Sequence, residues 1–235
     1  MLAVFKKEMR SYFTSVIGYV FLVLYLAVAG MLFCFTTLFS MSASVTEFFS
    51  YMTVVSAIIL PLLTMKSFSE ERKAKTEQLL LTAPVSIIGI VMGKFLAAYV
   101  MFASCMVLNS LYFLILLNYA SLKVAMLFGN LVAILLIGMV FIAIGLFVSS
   151  LTENQLSAAI GTIAIILGFL FVGLLGSLVP STYWIRYVFD FLSIFSRFTT
   201  FSSGYFDFAA LSYYISLAAI FLYLTVRIYD RRRYN

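Results

Sequence analysis

The charged side chains of this sequence are few, and many of them lie in one segment. Lys66 to Pro84 reads KSFSEERKAKTEQLLLTAP and, with Lys94 just beyond it, holds eight of the 24 charged residues. Acids and bases that alternate between two apolar runs are typical of a helix that faces water. We therefore expect this segment to bind a soluble partner through its polar and charged side chains.

Residue types that perform hydrolytic or acyl-transfer chemistry are scarce. The chain has no histidine, so the usual nucleophilic triads and most zinc sites cannot be built. Cys34 and Cys105 lie in apolar runs without CxxC spacing, which indicates two small side chains packed among helices. We expect no catalytic site, no disulfide and no metal site.

The sequence GIVMGK, Gly89 to Lys94, resembles a phosphate-binding loop only superficially. That loop needs four residues between its glycines and a Ser or Thr after the lysine, whereas this chain has three residues and then Phe95. We therefore expect no nucleotide site in this chain. Gly89 and Gly93 instead predict close helix packing, and Lys94 predicts a side chain that extends toward the membrane surface.

The composition indicates what must position these residues. The chain has 235 residues, of which 64% are hydrophobic and 10% charged, and its mean hydropathy is +1.13; a soluble domain has roughly a quarter of its residues charged. The apolar runs are continuous and long enough to cross a bilayer as helices, which excludes a β-barrel. The predicted fold is an all-α membrane protein with six spans: Val16–Leu38, Phe48–Met65, Gly93–Leu117, Val124–Leu151, Leu156–Val179 and Phe208–Ile228.

The distribution of Lys and Arg predicts the orientation. If the N-terminus is cytoplasmic, twelve of the 15 basic residues lie on the inner side and only Lys123, Arg186 and Arg197 on the outer side. Basic residues favour the cytoplasmic side, so we expect both termini there. The net charge of +6 then reflects topology and lipid headgroups, and we expect no nucleic-acid partner.

Two segments outside the spans carry their own patterns. Met1 to Phe13 is amphipathic and predicts a short interfacial helix over residues 1–14, anchored by Phe5, Lys6, Lys7 and Arg10; ordinary basic flanking residues are the alternative. The first apolar run is too long for a cleaved signal peptide, so we expect it to persist. Residues 180–207 are aromatic-rich and charged, which favours short re-entrant helices on the outer side.

The charged segment itself predicts a separate helix from Ser69 to Thr82. Ser69 would cap it, Glu71 and Lys75 would pair one turn apart, and Pro84 would end it. The three leucines 79–81 would form an apolar knuckle suited to docking. The alternative is a solvated hairpin whose leucines begin to re-enter the bilayer.

The predicted spans hold almost no charge, with only Asn109 and Asn130 as amides at modest depth. Carriers driven by protons or sodium usually need ionisable groups at the midplane, so we expect the energy to come from elsewhere. At the turn between spans four and five, Thr152 with Gln155 suggests a capping box.

In this arrangement the chain resembles the permease subunits of ABC-2 type exporters, particularly the gliding-motility and copper/nitrous-oxide-associated permeases. The motifs that carry the resemblance run in order along almost the whole chain: Glu71–Arg72, Thr76–Glu77–Gln78–Leu79–Leu80, Pro84 and Ser86, Gly93–Lys94, Ser149 to Gln155, Phe195 to Phe198, Ser203–Gly204 with Asp207, Tyr213–Tyr214, and Arg231 to Tyr234. The family often has Gly before the Thr of the second motif, where this chain has Lys75.

The resemblance implies a single transmembrane domain over residues 1–235 that pairs as a homodimer or heterodimer. It implies two copies of a separate ATPase, which would bind ATP and Mg, so that this chain would bind no cofactor. It also implies a multi-pass protein of the bacterial inner membrane, in which an extracytoplasmic accessory protein is possible and residues 66–90 form the cytoplasmic coupling loop. The residues expected to contact the ATPase are Glu70, Glu71, Arg72, Thr76, Glu77, Leu79, Leu80, Leu81 and Pro84, with a second contact at Glu153 and Asn154.

Two other classes stay open at this point. The same segment could recruit a cytoplasmic protein to a membrane scaffold that transports nothing. An intramembrane enzyme would have to use Glu153 and Asp190, the acids best placed for chemistry, without histidine or paired deep carboxylates. The residues leave the substrate open.

Overall fold

The computed structural model describes residues 1–40, 45–78, 85–116, 124–178, 184, 189, 193–194, 197–198, 201 and 207–234. Most of these residues are helical, and no strand occurs among them. The helices are α1 (Leu2–Thr14), α2 (Val16–Phe33, continued by π-helical turns over Cys34–Phe39), α3 (Val45–Lys73), α4 (Ile87–Leu116), α5 (Val124–Leu151), α6 (Gln155–Leu178) and α7 (Phe208–Tyr234).

Six of these helices, α2 to α7, are long and apolar enough to cross a membrane. The predicted all-α fold with six spans is therefore confirmed, and the predicted N-terminal helix is present as α1. α3, α4 and α5 form the centre of the bundle, since their most apolar stretches are 61%, 61% and 67% buried, against 28%, 22% and 22% for α2, α6 and α7. The outer three helices are thus left to face lipid or another chain.

The centre is packed closely because glycine allows helices to approach. A Cβ atom placed on Gly145 of α5 would lie 2.1 Å from Oγ1 of Thr64 on α3. Small residues at membrane helix interfaces permit this backbone approach and the dispersion contacts that follow from it. The close approach of α3 and α5 therefore requires glycine at position 145.

The predicted start of a separate helix at Ser69 is wrong. α3 runs without a break to Lys73, and the Ser69 hydroxyl donates to the Met65 carbonyl inside it. Glu71 and Arg72 favour helix, so the span continues past the apolar run. The predicted Glu71–Lys75 pair is also wrong, because α3 ends before Lys75 and Glu71 pairs with other lysines.

α3 ends in a turn that reverses the chain. Lys75 has φ of 57°, and its N–H donates to the Arg72 carbonyl at 3.0 Å while the Thr76 N–H donates to the Glu71 carbonyl at 3.0 Å. These two hydrogen bonds form a Schellman motif, in which a left-handed residue satisfies the last carbonyls of a helix. Glycine favours that position, and Lys75 occupies it here. Leu79 to Pro84, including the predicted apolar knuckle, lie outside the described residues.

Asn154 caps α6, and the prediction that Thr152 caps it is wrong. The Leu156 N–H donates to Oδ1 of Asn154 at 3.0 Å, whereas the Thr152 hydroxyl donates back to the Val148 carbonyl of α5 at 3.4 Å. With α5 ending at Leu151 and α6 starting at Gln155, only Asn154 directly precedes the first helical residue, which is the capping position.

Most of the predicted re-entrant segment, including Arg186 and Asp190, lies outside the described residues. The parts that are described contact α7. The Arg197 guanidinium lies 4.4 Å from the centroid of the Tyr213 ring, and the Tyr214 hydroxyl donates to the Ile194 carbonyl at 2.7 Å. Arg197 is thus held by aromatic contact at the entry to the last span.

Candidate functional site: the charged end of the bundle

The start of α1 and the end of α7 meet the described parts of the α3–α4 and α5–α6 connections at one end of the bundle. We call this region the charged end and define it as residues 1–14, 66–78, 85–94, 149–157 and 227–234. Hydrogen bonds and ion pairs join these segments to one another, as the next paragraphs describe. Most of the sequence-predicted site residues lie here.

Lys94 lies at the centre of the charged end. Its side chain is 1% exposed, and its Nζ lies 3.0 Å from Oε1 of Glu8 and 3.0 Å from Oε2 of Glu71. The same nitrogen donates to the Ser67 carbonyl at 2.6 Å and lies 4.9 Å from the Phe68 ring centroid. The prediction that Lys94 extends to the membrane surface is therefore wrong. A buried ammonium needs such partners because desolvation is costly, and these tie α1, α3 and α4 together.

α1 packs against this centre instead of lying free of the bundle. Cβ of Val4 lies 3.0 Å from the position a Cβ on Gly93 would take, which bears out the predicted close packing at that glycine. Tyr12 is buried and its hydroxyl donates to the Leu63 carbonyl at 3.5 Å. Burial raises the pKa of Tyr12, with a smaller contribution from the charge of Glu8.

Lys7 adds a second basic partner for the same carboxylates. Its Nζ lies 3.0 Å from Oε1 of Glu71 and 4.0 Å from Oε1 of Glu8. Partial burial acts to lower the pKa of Lys7, but the hydrogen bond to Glu71 and the charges of Glu71 and Glu8 outweigh it and raise the pKa above its ordinary value. Two lysines and two glutamates thus form one compact network.

Arg72 joins the end of α3 to the turn between α5 and α6. Its guanidinium donates to the Leu151 carbonyl at 2.9 Å and lies 3.1 Å from Oε1 of Glu153.

Ser149, in the last turn of α5, makes polar contacts with α3. Its hydroxyl accepts from the N–H groups of Phe68 and Ser69, both at 3.1 Å, and donates to the Met65 carbonyl at 3.1 Å. α3 and α5 are therefore linked by polar contacts as well as by close packing.

Arg232 ties the C-terminal helix to the segment that follows α3. Its guanidinium lies 3.0 Å from Oε1 of Glu77 and donates to the Ser150 carbonyl at 2.8 Å. It also lies 5.4 Å from the Tyr229 ring, which packs 4.8 Å from the Phe68 ring. The basic C-terminus is thus a structural part of the charged end.

The remaining predicted site residues lie nearby with fewer contacts. Glu70 is exposed and lies 3.8 Å from the half-buried Lys66. The Thr76 hydroxyl donates to the Glu71 carbonyl at 3.2 Å. Phe5 is half-buried, and Lys6 and Arg10 are exposed. That the listed residues between Glu70 and Pro84 contact a partner stays a prediction. The second contact, at Glu153 and Asn154, also stays a prediction.

Sequence reasoning missed three residues of the network: Glu8, Lys94 as a buried ion, and Arg232. A signal existed for two of them. Glu8 is the single acid on an otherwise basic helix, and Lys94 is a charge inside an apolar run immediately after a glycine. Within the part of the chain that the structure describes, no cluster of three His, Cys, Asp or Glu side chains could hold a metal ion.

Comparison with known proteins decides the family. The family model described as "ABC-2 family transporter protein" matches residues 2–231, which is nearly the whole chain. The chain belongs to the ABC-2 transporter family. The resemblance inferred from the motifs is therefore confirmed at the level of the family. No curated protein matches the sequence.

Membership of the ABC-2 family and six apolar helices make this a multi-pass membrane protein of a transporter. Permeases of the ABC-2 family generally work with an ABC ATPase and are generally not catalytic themselves.

Proposed function

We propose that this ABC-2 chain is the permease subunit of an ATP-driven exporter and that the segment after α3 receives force from a separate ATPase. The observation that carries the proposal is the pairing of Lys94 with Glu71 and Glu8. A docking segment that is to move the spans must be held firmly to them, and buried ion pairs resist separation because each unpaired charge is costly.

The contacts of the charged end supply a route for that force to every part of the bundle's centre. Glu71 leads to α4 and α1 through Lys94, Arg72 leads to the end of α5 and the start of α6, and Glu77 leads to α7 through Arg232. Displacement of residues 70–77 therefore cannot occur without displacing several spans. In this proposal Leu79, Leu80 and Leu81 seat in the ATPase, and Glu153 lies at a second contact.

The proposal extends to the assembly. Two copies of the ATPase bind ATP and Mg on the cytoplasmic side of a bacterial inner membrane, and two permeases, identical or different, pair in the membrane. The largely exposed surface of α6, which includes Ile160, Gly168 and Phe171, supports pairing, because small and large apolar residues on one face suit helix association. The proposal names no substrate.

The direct test is purification of the chain from its native membrane with whatever binds it. Recovery of a nucleotide-binding subunit supports the proposal, and a Leu80→Asp variant should lose that subunit and the ATP-dependent activity while still inserting in the membrane. Ala74→Asp is the control, since it adds the same charge at an exposed position of the same segment. A cytoplasmic partner without nucleotide binding would favour the scaffold instead. Retention of the ATPase by Leu80→Asp would overturn the docking assignment.

A further inference from the structure

α4 and α7 leave an open apolar groove between them on the outside of the bundle. Its volume is about 440 Å³, and its walls include Ile88 and Met92 of α4 and Ala219 and Leu222 of α7. From Ala219 to Asp230 the groove follows α7 for roughly 16 Å at 1.5 Å per residue. It therefore runs from within the apolar part of the last span to the charged end.

Two opposite charges lie at the polar mouth of this groove without pairing to each other. Arg227 and Asp230 both line it. The Arg227 guanidinium is exposed, donates to the Tyr223 hydroxyl at 2.9 Å and lies 5.6 Å from that ring. No described carboxylate lies within ion-pair distance of it.

Asp230 differs from the other acids around it. Glu8, Glu70, Glu71, Glu77 and Glu153 each have a basic partner at 4.0 Å or less. Asp230 is half-buried and has none among the described residues. A ligand that fills the groove covers this carboxylate and removes water from it, which costs free energy. That cost is offset when the ligand itself carries a cation.

We propose that this groove binds a phospholipid with a zwitterionic headgroup that carries a phosphate and a primary ammonium, the headgroup of phosphatidylethanolamine. An acyl chain fills the apolar groove, the phosphate pairs with Arg227, and the ammonium donates to Asp230. The two residues are three apart on a helix and so face the same side, which suits two charges joined by a two-carbon linker. Both charges at the mouth are then satisfied by one ligand.

The charges distinguish the zwitterionic lipid from two other occupants. An anionic lipid such as phosphatidylglycerol satisfies Arg227 but leaves Asp230 beside a phosphate. A helix from a second copy of the chain satisfies Arg227 and Asp230 only if the same two residues of that copy lie opposite them, whereas one zwitterionic headgroup carries both counter-charges itself. The zwitterionic lipid meets the apolar and the charged requirements together, and this holds whether or not an ATPase drives the chain.

Native mass spectrometry of the purified protein, with any subunits that accompany it, tests the proposal. The protein is exchanged into detergent containing equal amounts of phosphatidylethanolamine, phosphatidylglycerol and phosphatidylcholine. Phosphatidylethanolamine should be retained in excess, because the trimethylated ammonium of phosphatidylcholine cannot donate a hydrogen bond. Arg227→Gln should reduce retention of all three lipids, and Asp230→Asn should reduce the preference for phosphatidylethanolamine over phosphatidylglycerol by roughly two- to fivefold, the scale of a partly exposed ion pair.

Matched variants separate this site from general lipid contact. Arg231→Gln removes a neighbouring exposed charge that does not line the groove and should change nothing. Ala219→Phe should fill the groove and release the lipid, whereas Ile220→Phe, which adds bulk at an exposed neighbouring position outside it, should not. Should Ala219→Phe fail to fold, the two charge variants decide alone. Equal retention of the three lipids, or an unchanged preference in Asp230→Asn, overturns the proposal, and a disulfide between Ala219→Cys protomers would assign the groove to a second copy.

Discussion

The ammonium of Lys94 lies 3.0 Å from the carboxylate of Glu71, with only 1% of the lysine side chain exposed. The lysine belongs to α4 and the glutamate to the last turn of α3, so this pair closes the connection between two central spans. Glu8 of α1 shares the same ammonium at 3.0 Å. One buried charge thus determines how three helices meet.

Replacement of Lys94 by Met should be strongly destabilising. The variant keeps the volume of the side chain but leaves Glu8 and Glu71 with the exposed Lys7 as their remaining counter-ion, at a cost of up to about 3–5 kcal/mol in the free energy of unfolding. Chemical denaturation of the purified protein in detergent measures this. Lys66→Met is the control, since Lys66 pairs only at 3.8 Å with an exposed carboxylate, that of Glu70, and its loss should cost no more than about 1 kcal/mol. Equal losses in the two variants would mean that the Lys94 network is not the joint described here.

The Arg232–Glu77 contact should couple the last helix to the segment after α3. Arg232→Gln should cost about 1–2 kcal/mol, because it removes a partly buried ion pair and the bond to the Ser150 carbonyl. A double-mutant cycle with Glu77→Gln measures the coupling, and faster hydrogen exchange in residues 74–78 should accompany its loss. Arg233→Gln, on the same last turn but exposed, should leave both readouts unchanged; additive effects of Arg232→Gln and Glu77→Gln would contradict the prediction.

Lys75→Gly should stabilise the protein. Lys75 is held at φ of 57°, a conformation that costs roughly 1 kcal/mol for a residue with a Cβ and little for glycine. We expect a gain of up to about 1 kcal/mol in thermal or chemical unfolding, and a loss for Lys75→Val, whose branched Cβ tolerates this conformation worst. A gain in both variants would indicate that removal of the lysine charge, and not the backbone, is responsible.

The contact between Gly145 and Thr64 should be intolerant of added volume. Gly145→Ala places a Cβ 2.1 Å from Oγ1 of Thr64, so α3 and α5 must move apart, at a cost of about 1–3 kcal/mol. Gly168→Ala is the matched control, because nothing lies within 4 Å of its added Cβ, and it should be neutral or slightly stabilising. Thermal unfolding of the two variants in detergent measures the difference, and a neutral Gly145→Ala would show that the two helices can separate freely.

The sequence predicted the spans well and the charged segment less well, for a physical reason. Hydropathy is a sum over neighbouring residues, so long apolar runs such as Val124–Leu151 were placed to the residue. The end of α3 is harder to predict because Ser69 suits both a cap and a helix interior, and its contact with Ser149 of a distant helix, which accepts the Phe68 and Ser69 N–H groups, does not show in the sequence. The sequence predicts Thr152 as the cap of α6 where the structure has Asn154, because both residue types can cap and only the position of the helix start distinguishes them.

The sequence by itself determined the fold class, the six spans and, through the order of its motifs, the ABC-2 family, because all of these depend on local composition and spacing. The tertiary structure alone decided what the charges do. Glu8, Glu71 and Lys94 are far apart in the chain, and an ammonium at the start of an apolar helix can equally extend to the surface or turn inward. Only the packing of α1 against α4 removes water from Lys94 and brings the two carboxylates to it, and desolvation then makes that pairing necessary.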